Sequence, residues 1–100
     1  MILSNFNVVF SEEAEKNLTE VIKWYNKIEK GLGAKLKQEV KEASNEIKRN
    51  PTVALIKRKN TRTVACKVFP YSIHYEIDVP YQITRITSIF HFRRKPSWDA

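Results

Sequence analysis

Apolar and polar positions divide the chain into a helical half followed by a strand half. Asn5-Phe6-Asn7-Val8-Val9-Phe10 alternates and then runs apolar, which predicts a short strand with Phe6, Val8 and Phe10 on one face. Ser11 is a natural helix N-cap, and Glu12 and Glu13 place negative charge in the first turn, where the helix dipole favours it. From Ala14 onward, Leu18, Val21, Ile22, Tyr25 and Ile28 fall at helical spacing and mark one buried stripe, while Lys16, Glu20, Lys23 and Lys27 take the other side. Gly31 and Gly33, the only glycines in the chain, break this helix. A second helix follows through Leu36, Val40, Ala43 and Ile47, and Asn50-Pro51 stops it because proline pushes the residue before it out of the α region.

The second half changes period. Val53-Ala54-Leu55-Ile56 is a short apolar run whose pattern fixes neither helix nor strand, and Lys57 to Arg62 reads as a polar, basic turn. Thr63 to Phe69 predicts a strand with Val64, Cys66 and Val68 on one face. After the Pro70-Tyr71 corner, Ser72 to Asp78 predicts the next strand. Ile73, Tyr75 and Ile77 point one way, and Ser72, His74 and Glu76 the other. Val79-Pro80-Tyr81-Gln82 supplies a hairpin turn, and Ile83 to Phe92 is the longest strand, with Ile86, Phe90 and Phe92 expected to face the helices. The order predicts an α+β domain over residues 1–100: a short N-terminal strand, a helical hairpin, then a three-stranded antiparallel meander, with helices on one sheet face.

Composition narrows the class. A hydrophobic content of 42% in 100 residues fits one folded domain rather than a disordered chain. No apolar run approaches the ~20 residues of a membrane helix, and the lone Cys66 has no internal disulfide partner. With no charged-then-apolar leader, the expected location is the reducing cytoplasm. Charge adds more. Of the formal net charge of +7, residues 1–50 contribute nine Lys/Arg against eight Asp/Glu, whereas residues 51–100 contribute nine against Glu76, Asp78 and Asp99 alone. The strand half therefore carries the positive field, which attracts polyanions or an acidic protein surface.

Candidate chemistry gathers on the strands. His74 beside Glu76 forms either a general-base pair or a solvated polar face. His91 is either an acid–base group or a strand-end histidine bonded to backbone. Arg93, Arg94 and Lys95 form a cationic exit able to meet phosphates, and Arg62 and Arg85 add charge upstream. Cys66 reads as core, since no adjacent base stands ready to activate it. Tyr71 and Tyr75 read as packing residues, and Trp24 and Trp98 as core anchors or exposed hot spots.

Together these features resemble the RelE/ParE superfamily of bacterial type II toxins. The resemblance rests on Val8-Val9-Phe10-Ser11-Glu12-Glu13-Ala14, the Trp24-Tyr25 pair, Asn50-Pro51, the run from Phe69-Pro70-Tyr71 to Ile77, and Ile89-Phe90-His91-Phe92-Arg93-Arg94 with Pro96 and Trp98. It implies a small cytoplasmic toxin without a cofactor, neutralised by a cognate antitoxin and able to form a toxin–antitoxin hetero-oligomer. One branch of the superfamily cuts messenger RNA on the ribosome, and the ParE-like branch blocks DNA gyrase. Metal-free RNA cleavage requires an activating base, an acid for the leaving oxygen and cations for the transition state. Near Ser72, where nuclease members tend to carry an arginine, the middle strand has no cation. The ParE-like branch is therefore the expectation, with no catalytic residues assigned and with Arg93, Arg94, Lys95 and Arg62 binding the target. Under the ribosome-dependent alternative the catalytic set would be His91, Arg93 and Arg62, and a non-toxic binding module is a third reading. The antitoxin is expected to present an acidic, amphipathic segment, apolar near the helices and charge-paired along the basic strands.

Overall fold

The computed structural model describes residues 6–54 and 56–91, with only the backbone described at Lys57 and Arg58. Leu55 and the expected positions of Phe92, Arg93, Arg94, Lys95, Pro96 and Trp98 lie outside the described residues. Strand β1 (Asn7–Phe10) leads into α1 (Glu12–Ile28) and α2 (Leu32–Arg49), followed by β2 (Ile56–Arg58), β3 (Thr61–Ala65), β4 (Tyr71–Asp78) and β5 (Ile83–His91). The strands form one sheet in the order β1-β5-β4-β3-β2, antiparallel throughout except that β1 lies parallel to β5. The expected α+β architecture is present, with β2 as an additional strand: Ile56 leaves the apolar run to pair with Arg62, and the turn shrinks to Lys59 and Asn60.

The helical hairpin follows from local chemistry. Ser11 Oγ accepts the Ala14 N–H and caps α1. Gly31 turns the chain at φ +90, a conformation that side chains other than glycine rarely take. Gly33 lets the helices approach, because a Cβ there would lie 2.6 Å from the Ile22 carbonyl oxygen, and Asn26 Oδ1 accepts the Gly33 N–H at 2.8 Å. Ala14, Leu36, Val40 and Ile47 meet Ile73, Tyr75, Ile86 and Ile89 in the core, with Leu18, Val21, Ile22, Tyr25 and Ala43 packed around them. Ile28 departs from its expected place in the stripe. It is the last residue of α1, past the Tyr25 contact with the sheet, and is 59% exposed.

Two irregularities reshape the meander. β3 stops at Ala65 rather than Phe69. Cys66 N–H closes the ladder on the Tyr71 carbonyl, and the Glu39 carboxylate on α2 then accepts the N–H groups of Val68 and Phe69. Val68, expected on the Cys66 face, is thereby turned outward. In β5, Ile86 pairs with Tyr75 and Ser88 with His74, so Thr87 is an extra residue. This bulge resets the alternation. Ile89, opposite Ile73, takes the core position expected of Phe90, and Phe90 turns to the face away from the helices, opposite Ser72.

The same bulge locks α1 to the sheet. β1 pairs with β5 only as far as Ile86, and beyond that point no strand among the described residues covers the outer edge of β5. The start of α1 fills the gap: Ser11 Oγ donates to the Thr87 carbonyl at 2.9 Å, and Asn17 Oδ1 accepts the Ile89 N–H at 3.1 Å. The backbone groups left by the bulge thus find side-chain partners.

Candidate functional site

The sheet separates the candidate residues onto two faces. On the helix side, the end of β5 brings His91 against Tyr71, edge to face with ring centroids 5.3 Å apart. Tyr71 in turn meets Tyr25, Tyr25 meets Phe69, and Tyr25 is edge-on to the exposed Trp24 at 4.9 Å. The ring chain runs from the surface of α1 to the last described residue of β5, where the sequence passes into Arg93, Arg94 and Lys95. Beside His91 is a small pocket of about 90 Å³ walled by Asn17, Glu20, Val21, Tyr71 and Ile89. Glu20 and Asn17 were not candidates from sequence. Asn17 lies one helical turn before Val21, and Glu20 one turn after Asn17, which does not show which strand end they approach.

Arg62 stands elsewhere. Its guanidinium donates to the Ala54 carbonyl at 2.6 Å, and its strand position is opposite Tyr75, whose hydroxyl donates to the Pro51 carbonyl at 2.7 Å. Both side chains hold the loop that follows α2. Burial raises the Tyr75 phenol above its ordinary pKa, against a smaller opposing pull from backbone hydrogen bonding and from Arg62. Because His91 pairs with Tyr71 and Arg62 with Tyr75 across two strand spacings, their Cα atoms are separated by roughly 16 Å. The fold does not bring His91 and Arg62 together.

The face away from the helices carries the polar positions of β4. Thr63, His74 and Ser88 form one cross-strand row, with Glu76 opposite Arg85 in the next row. His74 is 4% exposed and meets the Phe90 ring edge to face at 5.5 Å, while Glu76 accepts the Thr61 hydroxyl at 3.5 Å. His74 is therefore buried rather than on a solvated face, whereas Glu76 is half-buried. Packing accounts for His74, and the cross-strand neighbours account for Glu76.

Cys66 is buried as expected. Its thiol is pushed up to about 11 by desolvation, with the nearby Glu39 carboxylate acting in the same direction, so it is protonated at neutral pH. No helix of the described chain is long and apolar enough to cross a membrane, and no cluster of three potential metal ligands occurs among the described residues.

Comparison with known proteins agrees with this arrangement. No curated protein sequence matches the chain. Among solved structures, the fold is similar to that of a chromosomal ParDE toxin–antitoxin system from P. aeruginosa, with a TM-score of 0.75 at 13% identity over 87% of this chain and 96% of the other. The isolated E. coli RelE toxin gives a TM-score of 0.67 at 14% identity over 93% and 90% of the two chains. The RelBE2 toxin–antitoxin complex from Mycobacterium tuberculosis gives 0.64 at 19% identity over 90% and 94%. At these identities the structural likeness establishes the fold. The family model for the ParE toxin of type II toxin–antitoxin systems matches residues 8–96, nearly the whole chain, and the chain belongs to that family.

Proposed function

We propose that this toxin-family protein stops growth by binding DNA gyrase and that it cleaves no RNA itself. The observation that carries the reading is the separation of the candidate nuclease groups. Arg62 is tied to the Ala54 carbonyl on one side of the sheet, and His91 stands roughly 16 Å away beside Tyr71. Metal-free phosphodiester cleavage needs acid, base and cation around one phosphate, within hydrogen-bond reach of the atoms that exchange protons. A docking surface has no such requirement. Exposed Trp24, the ring chain behind it and the cationic run Arg93-Arg94-Lys95 offer an apolar anchor and charge for a protein–DNA complex.

A cognate antitoxin with an acidic, amphipathic segment is the second partner in this reading, covering the exposed apolar residues of α1 and pairing with the basic strand half. An antitoxin whose toxin-binding segment is basic would remove this part of the proposal. The gyrase reading is tested with purified components. The chain should inhibit negative supercoiling by gyrase, and R93A/R94A/K95A should weaken inhibition at least about tenfold, because several phosphate contacts are lost together. Unchanged supercoiling at saturating toxin, with message cleaved on programmed ribosomes, would replace gyrase by the ribosome as target.

A further inference from the structure

A second cationic surface lies at the end of the sheet opposite His91. From Ile47 to Tyr75 the sequence has no Asp or Glu, and Lys48, Arg49, Lys57, Arg58, Lys59 and Arg62 fall inside that run. The topology draws this run toward one end. The β2–β3 turn at Lys59-Asn60 leads into Thr61, whose hydroxyl reaches Glu76 near the end of β4. Across β4 lies the β4–β5 turn, Val79 to Gln82, where the Gln82 carbonyl accepts the Asn7 N–H. The C-terminus of α2 comes over the same end: Lys48 lines a pocket with Asn7, and the Pro51 carbonyl accepts the Tyr75 hydroxyl. His91 pairs with Tyr71, the first residue of the eight-residue strand β4, so the two ends are roughly 23 Å apart.

Both turns are unusual in their backbone. Lys59 at φ 51 and Gln82 at φ 53 are the non-glycine residues with left-handed backbone among the described residues. Glycine takes that conformation readily, yet each turn keeps a long polar side chain there, and such strained positions gather where a side chain is used. Beside Gln82, Tyr81 is 76% exposed, and Lys48 and Lys59 are exposed as well. The nearby carboxylates are engaged within the protein. Glu76 accepts the Thr61 hydroxyl and stands opposite Arg85, while Asp78 Oδ1 accepts the Tyr81 N–H at 3.4 Å. Arg62 pins the chain entering β2 through the Ala54 carbonyl. The outcome is a positive end with a projecting aromatic on a fixed turn.

We propose that this end binds the phosphate backbone of duplex DNA, with Lys59 on one side of the Tyr81-Gln82 turn and Lys48 on the other. Lysines neutralise phosphates and release counterions, and tyrosine and glutamine side chains donate to phosphate and sugar oxygens. β3 and β1 are three strand spacings apart, roughly 14 Å, which matches the rise of about four phosphates along one strand. The contacting groups stand on turns and a helix end, which suits the outside of a duplex better than a single strand drawn through a groove. This surface is separate from the cations that follow His91 in the sequence. The inference does not depend on gyrase being the target.

The test uses the full chain and a fluorescently labelled duplex of about twenty base pairs, with anisotropy followed between about 50 and 200 mM salt. The parent should bind with an affinity that falls steeply as salt rises. K48A/K59A should weaken binding at least about tenfold at the lowest salt and reduce the log–log salt slope by about two. K59G should reduce the slope by about one without lowering the melting temperature, because glycine relieves the left-handed backbone while removing the charge. No binding by the parent at the lowest salt, or full binding by K48A/K59A, would overturn the proposal. Lower affinity of K59G accompanied by a lower melting temperature would make Lys59 a structural residue and overturn its role. Tighter binding of a single-stranded RNA of the same length than of the duplex would also overturn the proposal, by assigning the surface to RNA.

Discussion

β5 and β3 share a problem and meet it differently. Each extends beyond its outer neighbour: β5 past Ile86, where β1 ends, and β3 past Arg62, where β2 ends. On β5 the first turns of α1 close the gap, with Ser11 donating to Thr87 and Asn17 accepting from Ile89. On β3 the neighbouring helix stands back and presents glutamates across a groove. Exposed strand edges invite pairing with other chains, and folded proteins usually cover or charge them. The β5 edge is covered by the protein's own side chains and belongs to the scaffold. The β3 edge runs beside a groove lined by the charged side chains of α2.

The largest effect should come from opening the closed edge. S11A/N17A removes the α1 cap, the bond to the Thr87 carbonyl and the partner of the Ile89 N–H, and should cost about 2–4 kcal/mol in urea unfolding. The Ile89 amide, slow to exchange in the parent, should exchange much faster in the variant. A loss under ~0.5 kcal/mol would mean that solvent serves that edge as well as the helix does.

Alkaline pH probes the floor of the open groove. The Cys66 thiol ionises near 9 in the unfolded chain and near 11 in the folded one, so the unfolded state loses its proton first as pH rises. Stability from this group is complete below pH 9 and is lost between pH 9 and about 11, by up to roughly 2 kcal/mol. C66A should flatten the unfolding free energy over that window, measured against the parent in the same buffers.

Smaller effects separate the two edges further. Y75F removes the hydroxyl bond to the Pro51 carbonyl and should cost about 1–2 kcal/mol, since that carbonyl loses a buried partner. E42Q should change stability by less than about 0.5 kcal/mol, because exposed charges contribute little to folding. A marked destabilisation by E42Q would make Glu42 part of the scaffold.

Much of this arrangement is legible in the sequence. The helical stripes apart from Ile28, the Ser11 cap, the break at Gly31 and the stop at Asn50-Pro51 are local signals and stand where the pattern places them, whereas Gly33, expected in the break, lies in the first turn of α2. The failures have a common physical cause. The bulge at Thr87 depends on how β4 and β5 align, so Phe90 and Ile89 exchange faces although both are apolar and either fits an unbroken alternation. β3 ends early because Glu39, about thirty residues upstream, captures the Val68 and Phe69 amides, and nothing in the Thr63–Phe69 pattern announces it. The His91 pocket likewise depends on where α1 crosses the end of β5, which periodicity within α1 does not encode. Contacts distant in sequence decide register, strand ends and the company each candidate residue keeps.

Radiolabel pulses in bacteria carrying this gene under tight control test the central functional claim, with DNA and protein synthesis followed separately after induction. Gyrase binding predicts that DNA synthesis stops first while protein synthesis continues. Protein synthesis collapsing within minutes while DNA synthesis runs on would contradict it and assign the chemistry to the ribosome.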